Sequence, residues 1–96
     1  MKESVYQARI IRRLNKVFPG CLVIKNDPTY IQGIPDLLIL FGLRWAALEV
    51  KTSEKAPTQP NQPYYISLLS EMSYAAFVYP ENEETVFYEL QLALCT

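Results

Sequence analysis

A chain of 96 residues forms one small domain, 1–96, that buries roughly 60% of its extended-chain surface, and half of these residues are hydrophobic, enough for a core without covalent staples. It contains no histidine, which excludes catalytic triads, imidazole bases and imidazole metal sites, and Cys21 and Cys95 are too few for a disulfide framework or a zinc site. The net charge of −1 hides a division: all nine Lys and Arg lie in residues 1–55, which sum to +4, while residues 56–96 sum to −5 and carry no base. A polyanionic ligand is therefore expected on the first half. No apolar run reaches the roughly 18 residues of a membrane span, and no signal-peptide pattern or internal repeat is present, so the expected setting is cytoplasmic with reduced thiols.

Residues 3–18 repeat Ile10, Ile11, Leu14, Val17 and Phe18 at helical spacing, and Pro19-Gly20 stops them. Arg9, Arg12, Arg13 and Lys16 occupy the other side, as a solvated basic face or as a face for nucleic-acid phosphates. Projecting the apolar stripe backwards puts Glu3 and Gln7 on the inner side. A Ser4-x-x-Gln7 capping box would instead leave Glu3 just outside the helix. Residues 21–25 are β-rich and predict a first strand ending in Lys25, either a solvated strand end or a phosphate contact. The loop Asn26 to Gln32 follows, with Tyr30 as a half-buried anchor or a platform for a base or sugar.

Gly33-Ile34-Pro35-Asp36 leads into Leu37–Phe41, then Gly42-Leu43, then Arg44–Leu48 and Glu49-Val50-Lys51. Two apolar runs about a Gly-led pair predict a hairpin with a type II′ turn. In that register Phe41 faces Arg44 and Asp36 faces Glu49, which brings two carboxylates within roughly 5 Å at Cβ, where like charges repel. A divalent cation relieves the repulsion; hard cations take carboxylate oxygens, water and phosphate. Alternation along the strand puts Lys51 on the same face as Glu49 and sends Val50 to the other layer. The chemistry suggested is Mg²⁺-assisted attack of water on a phosphodiester. Gly33 would let the backbone approach a substrate, Pro35 suits a strand start, and both apolar runs read as central strands covered on two faces, with Trp45 as filler.

Thr52 to Pro63 holds three prolines and predicts a rigid loop, with Ser53 and Lys55 extending the polar surface beside Lys51. A helix follows, with Pro63 at its first position and Gln62 just before it. Residues 75–79 predict another strand. Glu81–Glu84 reads as a solvated acidic tip, Val86–Tyr88 as a short strand and Glu89–Cys95 as a terminal amphipathic helix.

The ordered set Gly33-Ile34-Pro35-Asp36, Glu49-Val50-Lys51 and a later glutamine resembles the active-site signature of the PD-(D/E)XK nuclease superfamily, and within it the VRR-NUC branch. The similarity in order and spacing spans most of the chain; a lone ExK is unspecific. The resemblance implies an α/β fold with an αβββαβ core, a mixed central sheet flanked by helices. It implies Mg²⁺ or Mn²⁺ held by Asp36, Glu49 and the Val50 carbonyl, and catalytic roles for Lys51, for Glu3 on the first helix and for Gln62 rather than Gln59. Nucleic acid would be met by Lys25, Tyr30, Gly33, Ser53 and Lys55. Stand-alone members, typically viral or prophage-borne, act as homodimers on branched DNA such as four-way (Holliday) junctions, which would place this chain in a host-cell cytoplasm. An interface could then use Trp45, Phe77, Tyr79 or the C-terminal Leu/Ala stripe, though core packing accounts for each. The alternative is a non-cleaving nucleic-acid-binding or assembly module on the same fold.

Overall fold

The computed structural model describes residues 1–95. The elements run α1 (Glu3–Val17), β1 (Leu22–Lys25), β2 (Leu37–Phe41), β3 (Arg44–Val50), α2 (Asn61–Met72), β4 (Tyr74–Val78) and α3 (Glu83–Cys95). Four strands form one mixed sheet in the order β1-β2-β3-β4, antiparallel across β1–β2 and β2–β3 and parallel across β3–β4. The fold is mixed α/β, with three helices flanking the sheet. Among the described residues no helix is long and apolar enough to cross a membrane.

The hairpin carries the expected register, from Phe41↔Arg44 to Leu37↔Leu48. Gly42 sits at φ +61°, and among the described residues none other than glycine has positive φ. Leu43 therefore does not take the second left-handed position of a type I′ turn, in keeping with type II′. Alternation along the strands then sorts the side chains. Leu37, Ile39, Ala46, Leu48, Val50 and Val78 face one layer, where α1 contributes Tyr6, Ile10, Leu14 and Phe18, and α3 contributes Val86, Phe87, Leu90 and Leu94. All are buried. Removing one of the larger aliphatic side chains from such a core costs about 2–5 kcal/mol.

The other face is covered differently from expectation. Among the described residues α2 is the one helix on it, and it contacts β3 and β4. A helix about 10 Å wide covers roughly two strands spaced about 4.8 Å apart, so the β1–β2 half stays open. Leu38 and Trp45 are half-buried, and Leu22, Ile24 and Leu40 are exposed.

Two further expectations are corrected near the C-terminus. Val86–Tyr88 is not a strand; α3 runs unbroken from Glu83, because Val86, Phe87, Leu90 and Leu94 share one face at helical spacing. The acidic run is not a free tip. Glu83 and Glu84 occupy the first turn of α3, where the helix dipole favours them. Arg13 Nη1 donates to Glu83 at 2.6 Å and Glu84 at 2.7 Å, and the buried Tyr6 hydroxyl donates to Glu83 Oε1 at 2.7 Å. The Arg13 guanidinium also lies 4.2 Å above the Phe87 ring. Arg13 thus ties α1 to α3 and is withdrawn from the basic face.

Gly33 is the tightest backbone position. Its φ is +92°, and a Cβ there would fall 2.3 Å from the Asn61 Cβ, so the room given by the missing side chain is filled by the start of α2 and not by a substrate. At Gly42 a Cβ would meet nothing within 4 Å. Gly42→Ala should therefore cost about 1–2 kcal/mol from its left-handed backbone alone, and Gly33→Ala clearly more. Urea unfolding of the two variants checks the order.

Candidate active site

The polar groups meet at the end of the hairpin remote from the Gly42 turn, on the sheet face that carries α2. Asp36 lies one position before the Leu37↔Leu48 pair and Glu49 one position after it. Their contacts are reciprocal: the Asp36 backbone N–H donates to Glu49 Oε1 at 3.2 Å, and the Val50 N–H donates to Asp36 Oδ2 at 3.0 Å. Each carboxylate is thus held by the backbone of the other's strand.

Pro35 explains why the ladder stops here. Continued by two residues, it would pair Pro35 with Val50. In an antiparallel pair the N–H and C=O of one residue point to the same neighbour. The Val50 N–H points to the β2 side, onto Asp36, while the Lys51 N–H donates to Val78 of β4 at 2.9 Å. The Val50 carbonyl therefore also points to the β2 side, where Pro35 offers no N–H. Asn26 fixes this corner: its N–H donates to the Asp36 carbonyl at 2.9 Å and its side-chain amide to the Pro35 carbonyl at 2.8 Å. Nothing in the turn-forming composition of the loop marks Asn26 for this role.

Lys51 and Gln62 complete the group. Glu49 is 2% exposed and Lys51 7%, the only buried polar or charged residues of the fold's described part. Lys51 Nζ donates to Gln62 Oε1 at 2.8 Å and to the Pro57 carbonyl at 3.1 Å, and stands 3.9 Å from Glu49 Oε2. Gln62 Nε2 donates to Glu49 Oε2 at 2.9 Å, and its Oε1 also accepts the Gln59 N–H at 2.9 Å. A backbone N–H only donates, so the amide orientation is settled by the Gln59 contact. α2 starts at Asn61, slightly earlier than expected, with Gln62 second and Pro63 third. Pro63 still falls in the first turn, whose N–H groups lack helical partners in any case. The Pro-rich segment Pro57–Pro60 is thereby the strap that carries a carbonyl and an N–H into the site.

The electrostatics follow from this crowding. Burial raises the Glu49 carboxyl to about 8, the neighbouring Asp36 charge adds to the rise, and the Lys51 ammonium opposes it. Two acid groups, with a carbonyl whose ladder donor is missing, form an oxygen-rich cluster suited to a hard divalent cation. Asp36, Glu49 and the Val50 carbonyl would hold it.

The other expected residues stand apart from this network. Glu3 starts α1, capped by the Lys2 backbone and not by Ser4. It is exposed, and among the described residues its carboxylate has no hydrogen-bond or ion-pair partner and no three His, Cys, Asp or Glu converge. The acid group stops at two. Lys25 is exposed at the end of β1, paired with Leu37 beside Asp36. Tyr30 is 85% exposed on the loop and is no half-buried anchor. Ser53 is half-buried and accepts the Ala56 N–H in a turn at 3.1 Å, and Lys55 is exposed. Leu90 and Leu94 of the C-terminal stripe are consumed by the core.

Glu49 also sets a pH dependence. In acid it is protonated in both folded and unfolded chains, so its burial carries no charge penalty. As pH rises from the ordinary carboxylate range towards 8, the unfolded chain ionises first and the folded state loses stability. In chelator, the unfolding free energy should fall from about pH 5 to about pH 8, and Glu49→Gln should flatten that fall. Millimolar Mn²⁺ should restore the wild type at pH 8 but not the variant. Urea titrations across this range measure it. No protein-family model, curated protein or solved structure matches this chain, and the function is read from these residues.

Proposed function

We propose that the chain is a Mg²⁺- or Mn²⁺-dependent endonuclease that hydrolyses DNA phosphodiester bonds, selecting branched structures such as four-way junctions. The observation that carries this reading is the closed network Asp36–Glu49–Gln62–Lys51, which gathers two acids, an amide and an ammonium from three segments at one sheet end. Its order along the chain resembles the VRR-NUC branch of the PD-(D/E)XK nucleases, and the element order is compatible with that superfamily's core.

Bound at Asp36, Glu49 and the Val50 carbonyl, the divalent cation supplies Lewis acidity towards the phosphate and lowers the proton affinity of water. The chain's own groups do the rest. Asp36 and Glu49 are pre-aimed by backbone N–H groups and need little reorganisation. Lys51 has three N–H donors, of which Gln62 and Pro57 take two. The third is available to hold the attacking water or to meet the charge that develops on a phosphoryl oxygen. Gln62 keeps the ammonium in place and ties it to Glu49. Lys55, exposed beyond Lys51, supplies a phosphate contact outside the site, whereas Lys25, paired with Leu37, lies on the opposite face of the sheet.

Alanine at Asp36, Glu49 or Lys51 should each lower Mn²⁺-dependent cleavage by about 10²-fold or more in protein that remains folded by circular dichroism. Gln62→Ala should lower the turnover number more than it raises KM, because it acts through Lys51. Labelled linear, flap, splayed and four-way DNA with and without Mn²⁺ are the substrates. Wild-type cleavage by any of the three alanine variants refutes the assignment. Absence of Mn²⁺ binding by calorimetry favours a non-cleaving nucleic-acid module. A homodimer would place two such sites about a twofold axis for paired strand cuts and double the basic surface; a concentration-independent monomer in sedimentation removes that part alone.

A further inference from the structure

On the same sheet face as the acid pair lies an open trench of about 560 Å³. Leu38, Leu40, Ala47 and Trp45 form its floor; the loop bearing Tyr30 and Ile34 forms one wall, and Leu69 and Met72 of α2 the other. No charged residue lines it. It begins where the active site ends, since Leu38 and Ala47 are the next residues on this face after Asp36 and Glu49. Two residues of strand span about 7 Å, so a nucleic-acid strand with its scissile phosphate at the acid pair has its neighbouring nucleotides over the trench or off the end of the sheet.

The lining decides what can enter. A phosphodiester chain needs cations or a row of N–H donors, and the trench offers no cation and, along its floor, no side-chain donor but the Trp45 indole N–H. Base faces are flat and apolar and stack on aromatic rings; Tyr30 and Trp45 supply the rings, with Tyr30 standing free at the loop tip. A paired duplex keeps its bases stacked inside and presents sugar and phosphate. A second copy of the chain is a poorer occupant. A twofold contact needs a surface that complements itself, and two facing concavities enclose a void. The volume also falls in the range of about 300–1,000 Å³ typical of ligand-sized concavities.

We infer that the trench receives unpaired bases of the strand being cut, so that the enzyme's choice of substrate is made by an apolar single-strand subsite next to the acid pair. The inference rests on the nuclease reading.

Trp45 is the chain's single tryptophan and reports the trench directly. Metal-free wild type is titrated with single-stranded oligothymidylate and, separately, with a blunt duplex of equal length. The single strand should quench or shift Trp45 emission and the duplex should not. Tyr30→Ala and Leu40→Glu, both at exposed positions and checked by circular dichroism, should weaken single-strand binding about 5- to 100-fold. Equal responses to both DNAs, or no response to either, overturn the inference. So does a concentration-dependent emission shift without DNA that Leu40→Glu abolishes, which assigns the trench to a second copy. Mn²⁺-dependent hydrolysis of bis(p-nitrophenyl) phosphate by wild type, an ester without bases, reads the catalytic assignment separately. If that hydrolysis is absent while selective quenching persists, the nuclease reading falls and the single-strand subsite stands.

Discussion

Two carboxylates pressed together under 2% exposure at Glu49 are an electrostatic load, and much of the polar structure of this protein serves to carry it. The load is created by register. Once Gly42 sets the turn, every pairing along β2 and β3 is fixed, and Asp36 and Glu49 have no separate choice. Slipping one strand by one residue would relieve the repulsion but would turn that strand's apolar set, Leu37 and Ile39 of β2 or Leu48 and Val50 of β3, out of the core. Burial of two aliphatic side chains, each worth about 1.5–3 kcal/mol, outweighs one partly screened repulsion. The hydrophobic layer under the sheet therefore enforces the polar cluster above it.

The cluster is then made tolerable by neutral and cationic partners. Backbone N–H groups of Asp36 and Val50, the Gln62 amide and the Lys51 ammonium each face an acid oxygen. Among the described residues no buried side-chain nitrogen or oxygen lacks a partner. The raised proton affinity of Glu49 is the part of the load that these partners leave unrelieved. Such residual destabilisation is common where a site is built for a ligand rather than for stability.

The hairpin and the Asp36–Glu49 meeting were legible because strand parity and turn chemistry are local rules: a Gly-led pair and two apolar runs determine which side chains face each other. Lys51 followed from the same parity. Gln62 did not; Gln59 is equally polar and equally placed after the prolines, and only the course of the strap selects between them. Val86–Tyr88 misled because branched and aromatic residues favour strands locally, whereas the stripe continuing through Leu90 and Leu94 binds them into a helix. Glu81–Glu84 misled because its partner, Arg13, lies some 70 positions earlier. The trench was invisible for another reason. Leu38, Leu40 and Trp45 look like core in any strand, and only the width of one helix leaves them uncovered.

Asn61 and Gln62 are neighbours with opposite duties. Asn61 is wedged against Gly33 and donates its amide to the Gln32 carbonyl at 3.3 Å, while Gln62 grips Lys51 and Glu49. The first turn of α2 thus joins the Tyr30 loop, through Asn61, to the Lys51 ammonium, through Gln62. The wall of the trench and the polar cluster at its head therefore hang from the same helical turn, through two adjacent side chains.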